Sequence, residues 1–565
     1  MLQTKHFWNN SYPANIQWDI QEYAALQTCP IYHYLDISCK NFPNRPAFQF
    51  MGKSWTWEEI GNLVDRMAKG LHDHGVEKGV KVGLCLPNCP YFLIAYYAIA
   101  KTGATIVNYN PLYAEDELAK QIEDSQTDYI VTVDLSLIYN KLEKMLHSTR
   151  LNQIIVCPFS ASLPFPKNFL FSFFKKSEQA KIPNDDRHVF FKQLVGNDGR
   201  FQPPAINVDE DIALLQYTGG TTGVPKGAML THANLTANVE QCARWFHDVH
   251  PGQERMLAVI PFFHVFAMTT ILNLSVRYGF EIIASPRFNL NETLELIQKT
   301  RPHFFPAVPA IYNAINAHAN IKKYDLTSLR YCISGGAPLP VEVKRSFESE
   351  TGCVLVEGYG LTETSPVACA NPIEGANKSG SIGLPLPGTV IELHDPETGD
   401  LVSQVHTRGE IWIKGPQVMK GYWNRPDETA KVMANGFLKT GDVAEYDEDG
   451  YLFIVDRIKD LILVNGYNVY PRMIEEAIYK HPSIEECVVA GVTDPARGEV
   501  PKAWIKLKAG RSLTEEDLRL FLEDKISRIE MPRHIEFRDQ PLPKTMIGKL
   551  SKKDLLAEEI SKMSL

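Results

Sequence analysis

Lys226 ends the loop part of a stretch, YTGGTTGVPKGAMLTH (217–232), whose residue types suit an anion. Gly219, Gly220 and Gly223 let backbone N–H groups come close to a phosphate, Thr218, Thr221 and Thr222 add hydroxyl donors, and Lys226 adds a positive charge. The Walker pattern is absent, because Lys226 follows a proline and precedes Gly227 where that motif has Ser or Thr. A phosphate loop of another kind is expected. Taken alone, the stretch also suits a tight glycine turn.

These groups need rigid elements behind them. IALLQYT ends as a strand just before the glycines, and Thr231 is placed to cap the helix HANLTANVEQCARWF. Upstream, SWTWEEIGNLVDRMAKGLHDHG has apolar residues at helical spacing, with Thr56 and Glu59 in a capping-box pattern. VKVGLCL, PYFLIAYYAIAKTG, ATIVNYN, AEDELAKQIEDSQ and DYIVTV then alternate strand and helix, which predicts a parallel sheet covered on both faces. A second α/β block runs from DIALLQYTGG through LRYCISGGAPL to CVLVEGYGLTE. After GSIGLPLPGTVIEL the chain becomes strand- and turn-rich, and from Lys459 it reads as a small α+β unit.

Length and composition bound the function. At 565 residues the chain suggests roughly three or four folding units. A formal net charge of −9 argues against a dedicated nucleic-acid binder. The ten cysteines form no CxxC pair, and Cys85 and Cys89 have no His cluster beside them, so buried reduced thiols in a cytoplasmic protein are expected. The N-terminus has no signal-peptide core, and no run of about 18 apolar residues occurs, so a membrane-spanning chain is not expected. Between 158 and 204 the pattern breaks. LPFPKNFLFSFFKK sets Phe165, Phe169, Leu170, Phe171, Phe173 and Phe174 against Lys175 and Lys176. This suits an insertion packed on its own domain first, and as a sharper alternative an interfacial membrane contact through 165–176.

Seven segments occur in order: YTGGTTGVPKG, PFFHVFAM, SGGAPL, GYGLTETSP, KTGD, VDRIKD and PKTMIGK. Together they resemble the adenylate-forming superfamily of acyl-CoA synthetases, luciferases and peptide-synthetase adenylation domains, over residues from about 40 to 555. The resemblance implies a large N-terminal domain, residues 1–458, made of two doubly wound α/β subdomains and a β-rich subdomain. A small mobile α+β lid, residues 459–565, would follow a hinge at Lys459. It also implies that ATP, CoA and a carboxylic acid are substrates and that Mg²⁺ is required.

The family's roles carry over residue by residue. The glycine loop with Thr218, Thr221, Thr222 and Lys226 would hold the β- and γ-phosphates. Tyr359 would offer its ring to adenine, Thr362 its hydroxyl to phosphate, and Glu363 a hard oxygen to Mg²⁺. Asp442 and Arg457 match the ribose partners. Gly335, Gly336 and Ala337 would leave space beside the adenine and the acyl group. His264 falls at the junction of the acyl and thiol channels, as a gate or orienting group, although a lone His among apolar residues is ordinarily a core residue. Lys549 would bridge substrate carboxylate and ATP, offsetting anion–anion repulsion. The loop around Gly466 would line the pantetheine route.

Among members, an amino-acid activator is disfavoured because PFFHVFAMTTIL has no acid to pair with a substrate ammonium. A non-catalytic nucleotide binder is disfavoured by the presence of Lys226, Glu363, Asp442, Arg457 and Lys549. Coumarate-type ligases share the motifs but usually carry Ser at the position of Gly219. The chain looks most like bacterial long-chain fatty acyl-CoA synthetases, for which PFFHVFAM and FFPAVPAIYNAI would line an apolar tunnel. Chain length and oligomeric state are not readable.

Overall fold

A computed structural model describes residues 6–14, 16, 28–218, 225–246, 248–464, 467–494, 497–545 and 550–563. Four sheets organise these residues. In the first, the strands run in the order His188–Phe190, Gln153–Cys157, Tyr129–Val133, Lys81–Cys85, Thr105–Asn108, Ile212–Thr218 and Lys226–Thr231. All its pairings are parallel except the last. The βαβ alternation read upstream therefore builds this sheet. The capping box at Thr56 is formed, with Glu59 N–H donating to Thr56 Oγ1 at 3.2 Å and Thr56 N–H to Glu59 at 2.8 Å.

The second sheet has nine strands and is centred on the parallel set Glu281–Ala284, Arg255–Ala258, Phe304–Ala307, Tyr331–Ser334 and Val354–Gly360. Its far edge is a hairpin from the start of the chain, Pro46–Phe50 with Lys53–Thr56. Local pattern could not assign that hairpin to a sheet more than two hundred residues away in sequence. Pro90–Thr102 is buried on every side and touches strands of both sheets, which is why it is apolar on all faces up to Lys101 rather than striped. Tyr97 on it donates to Asn273 Oδ1 at 2.8 Å and so stitches the two halves together.

A third, antiparallel sheet uses Val390–His394, Gly409–Lys414, Phe437–Tyr446 and Leu452–Arg457. The fourth lies entirely within 462–538 and has its own hydrophobic clusters beginning at Ile462, whereas the main core ends at Leu452. One element has no counterpart in the sequence reading. The residues after the glycine loop form a strand, Lys226–Thr231, before the helix His232–Arg244, and this strand pairs antiparallel with Ile212–Thr218, Thr218 opposite Lys226. Thr231 does cap that helix, accepting from Asn234 N–H.

At the amino ends of three neighbouring parallel strands, the buried Glu254 gathers His303, His250 and Arg330, the last two at 3.2 and 3.3 Å. Burial alone would raise its carboxyl, but the contacts with His303 and His250 and the Arg330 charge outweigh burial and hold it at about 2. Its contribution is therefore complete above the ordinary value of 4.5 and is lost as pH falls from there toward 2. Replacing Glu254 with Gln is expected to lower unfolding free energy at pH 7 on the order of 2 kcal/mol and to flatten its decline over that acid window. Urea denaturation across pH 7 to 3 measures both.

Candidate active site

Parallel α/β sheets bind ligands beyond the carboxyl ends of their strands, where backbone turns leave polar groups facing a crevice. Both parallel sheets point those ends into one cleft of about 2990 Å³. Thr218, His264, Gly335, Tyr359, Glu363, Asp442, Arg457 and Lys459 all line it. Residues spread over 242 positions of sequence, from 218 to 459, thus share one space.

Asp442 is the most constrained of them. It sits within the strand Phe437–Tyr446, opposite Arg457 on Leu452–Arg457, and is only 3% exposed. Tyr359 O–H donates to its Oδ2 at 2.6 Å, and Arg457 Nε lies 2.8 Å from its Oδ1. Both carboxylate oxygens are engaged. The consequences are electrostatic: burial and the neighbouring carboxylate push the Tyr359 phenol well above its ordinary range, and Asp442 raises the Arg457 guanidinium further. Tyr359, placed by sequence as an adenine platform, is thus also tied by its hydroxyl to the expected ribose carboxylate.

Glu363 lies in a short 3₁₀ turn, Thr362–Thr364, and accepts from Tyr422 O–H at 2.6 Å. The Tyr422 ring lies beneath the Lys226 ammonium, 5.3 Å from its centroid, and Lys226 Nζ is paired with Glu428. Tyr422 and Glu428 are not found by sequence reading. Tyr422 is 59 residues from Glu363 and Glu428 is 202 from Lys226, and no local spacing marks either. Behind the loop, Tyr217 O–H donates to Asp124 at 2.6 Å, and Arg425 pairs with the same carboxylate. The strand leading into the loop is therefore anchored to the segment that carries Tyr422.

His264 caps the helical turn Val265–Ala267, its Nδ1 accepting from Phe266 N–H at 3.4 Å. That turn continues as a π-helical stretch, Met268–Asn273, a wider winding often found beside ligand sites. Phe266, Leu274, Val308, Ile333 and Trp245 supply an apolar wall to the cleft. Gly336 adopts φ +82°, which a residue with a Cβ rarely does, while a Cβ on Gly335 would lie 3.0 Å from the Phe266 ring. At Gly335 the space expected for ligand is thus shared with a packed aromatic. Ala337 follows at the cleft edge. One strand position before the Tyr359 motif, Glu357 is buried and accepts from Leu339 N–H at 3.1 Å. Burial pushes its carboxyl up to about 7, with Arg472 opposing.

Gly219, Gly220, Thr221, Thr222 and Gly223 lie outside the described residues, as do Gly466 and Lys549. Lys459 occupies a 3₁₀ turn, Ile458–Asp460, at the cleft. Burial and the Arg457 charge pull its ammonium below the ordinary lysine range.

Residues 35–423 match the AMP-binding enzyme family, and 473–549 match the AMP-binding enzyme C-terminal domain. The chain belongs to the AMP-binding enzyme family, with two doubly wound α/β subdomains, a β-rich subdomain and a small α+β C-terminal domain. A long-chain-fatty-acid–CoA ligase from Bacillus subtilis (strain 168) is 44% identical over 562 residues, covering 99% of each chain. The long-chain-fatty-acid–CoA ligase of Escherichia coli O157:H7 is 36% identical over 572 residues, again covering 99% of each. Among solved structures, ATP-bound MatB from Rhodopseudomonas palustris shares 26% identity at a TM-score of 0.81, over 94% of this chain and 99% of that one.

Replacing Asp442 with Ala removes the shared partner of Tyr359 and Arg457 and leaves a buried phenol without its acceptor. The expected result is at least a tenfold rise in the Kd for ATP, since hydrogen bonds to a charged group contribute about 1.5–3 kcal/mol. Calorimetric titration of ATP into wild type and Asp442→Ala measures it.

Proposed function

We infer that this protein activates long-chain fatty acids for thioester formation with CoA. In the first half-reaction a carboxylate oxygen of the acid attacks the α-phosphorus of ATP, forming the acyl-adenylate and releasing pyrophosphate. In the second, the CoA thiol attacks the acyl carbonyl, AMP leaves with the bonding electron pair, and the thiol proton passes to solvent. The reading is carried by the 44% identity, over 99% of the chain, to a ligase of that name, joined to a cleft lined both by Thr218 and Lys226 and by apolar side chains. Each methylene placed against the apolar wall contributes about 0.8 kcal/mol.

Within that reaction we assign roles to the cleft residues. Thr218 and Lys226, with the glycine loop, hold the β- and γ-phosphates. Tyr359 and Ala337 flank the adenine, and Asp442 with Arg457 holds the ribose. The donor chemistry of Glu363 fits Mg²⁺: the Tyr422 hydroxyl reaches one oxygen and leaves the other as a hard donor. Bound there, Mg²⁺ would neutralise phosphate charge; Thr362 adds a hydroxyl donor. His264 orients the acyl carbonyl at the channel junction. Lys549 screens the meeting of carboxylate and α-phosphate. Rotation of residues 459–565 about Lys459 then replaces Lys549 with the loop around Gly466 for the thiol step.

Pyrophosphate release is expected with saturated acids of medium to long chain. Release only with aromatic or amino acids would overturn the substrate class. Lys549→Ala should slow adenylation by two to three orders of magnitude, since one well-placed donor contributes about 3–4 kcal/mol to a transition state. From preformed acyl-adenylate it should make thioester at a near-normal rate. Equal slowing of both half-reactions, by pyrophosphate exchange and single-turnover assays, would refute the domain exchange.

We further propose that the aromatic insertion docks on an anionic lipid surface, on the cytoplasmic side where ATP, CoA and the ten unpaired cysteines belong. No helix among the described residues is long and apolar enough to cross a membrane. The short helix Lys167–Phe174 divides its aromatics. Phe171 turns inward onto Phe159, with ring centroids 5.4 Å apart, while Phe165, Phe169, Phe173 and Phe174 are 66–86% exposed. Exposed Met51 and Leu170 extend the patch, and Lys53, Lys167, Lys175 and Lys176 surround it. Aromatics framed by lysines suit the interface of a bilayer with negative headgroups. Replacing Phe169, Phe173 and Phe174 with Ser is expected to weaken sedimentation with phosphatidylglycerol vesicles at least about tenfold and to leave turnover of a water-soluble acid intact. Unchanged vesicle binding would refute the assignment.

A further inference from the structure

The Lys226 ammonium, assigned above to the β- and γ-phosphates, is already held. Glu428 Oε2 pairs with it from the short helix Pro426–Val432, while the Tyr422 ring covers it from another side. A cation at the mouth of a phosphate site thus has a carboxylate where an anionic ligand would otherwise sit. The other oxygen of Glu428 is engaged as well, by Lys431 Nζ at 2.5 Å. Both lysines together hold the carboxyl at about 2, so Glu428 is anionic throughout the neutral range.

The surroundings make this arrangement exchangeable. The Lys226 and Glu428 side chains are 25% and 30% exposed, so water can solvate both groups as they part. Glu428 would not be stranded when Lys226 leaves, because Lys431 stays beside it on the same helix. The helix itself is fixed near the cleft by Thr429, whose Oγ1 accepts from Tyr422 N–H at 2.9 Å. The carboxylate is therefore presented by a rigid element, next to the residue that orients Glu363.

We propose that Glu428 is a stand-in for phosphate: it holds Lys226 at the cleft in the empty enzyme, yields it to the triphosphate of ATP, and takes it back as pyrophosphate leaves. The proposal rests on the reading of Lys226 as a phosphate ligand. Glu428 is accordingly a positioning residue that sets phosphate affinity through Lys226 and does not touch the reacting atoms. Competition between one carboxylate and a polyanion weakens ATP and pyrophosphate binding alike, and it has no bearing on sites for acid or thiol.

Glu428→Gln keeps the side chain's shape and removes its charge. It is expected to tighten binding of both ATP and pyrophosphate about two- to fivefold, the range of a partly exposed ion pair. KM for fatty acid and for CoA should not move, and Glu428→Asp should restore affinities close to wild type. Lys226→Met should weaken ATP binding, and in that background Glu428→Gln should have no further effect, because the two act as one unit. Calorimetric titration of ATP and of pyrophosphate into wild type and the four variants reads these outcomes. Unchanged or weaker ATP binding in Glu428→Gln, with Lys226→Met still impaired, overturns the stand-in role and leaves the phosphate reading of Lys226 intact. Unimpaired ATP binding in Lys226→Met overturns that reading, and the proposal with it.

Discussion

Asp442 is a nearly buried carboxylate, and a buried charge survives only where its lone pairs are answered. Tyr359 and Arg457 answer them from two different sheets, at 2.6 and 2.8 Å. The Tyr359 strand belongs to the nine-stranded sheet, whereas Asp442 and Arg457 face each other within the antiparallel one. This clamp therefore joins the second α/β unit to the β-rich unit at the point where the nucleotide is assigned. Arg457 directly precedes the turn Ile458–Asp460, after which the separately cored C-terminal sheet begins. The position we assign to the ribose thus lies one residue from the turn Ile458–Asp460.

The same logic recurs across the cleft. Among its described residues three charged groups are paired within the protein: Asp442 with Arg457, Glu363 with Tyr422, and Lys226 with Glu428. An enzyme that must bring a carboxylate against a triphosphate needs strong local charge. Such charge without partners in a partly dry cleft would destabilise the fold. Pairing resolves that conflict, because each contact holds a side chain in orientation and can be traded for a ligand contact of similar strength. Exchange of partners, rather than creation of new ones, keeps reorganisation small when substrate arrives.

Much of this was legible in advance, and the reason is local physics. Strand and helix alternation between residues 54 and 133 follows from periodicity, and the capping box at Thr56 and the cap at Thr231 from short-range hydrogen bonding. The strand Lys226–Thr231 was missed because GAMLTH is short and lies between a glycine loop and a strong helix signal. The aromatic insertion shows the limit differently. Six apolar residues in a row of ten gave no means of telling Phe171, which packs on Phe159, from Phe169 and Phe173, which face solvent.

By itself the sequence determined which chemical groups this protein owns and in what order: a glycine–threonine loop with one lysine, an acid after Tyr359, a carboxylate and a guanidinium fifteen positions apart, and a lysine near the end. It also determined the α/β class, since the hydrophobic period of each segment selects its helix or strand. Tertiary structure alone decided the partners. It gave Glu363 to Tyr422 and Lys226 to Glu428, and it set the N-terminal hairpin on the edge of a sheet made two hundred residues later. The physical reason is the range of the forces involved. Propensity and periodicity act over a few residues, whereas a hydrogen bond or ion pair forms between whichever groups the folded path brings within about 3 Å.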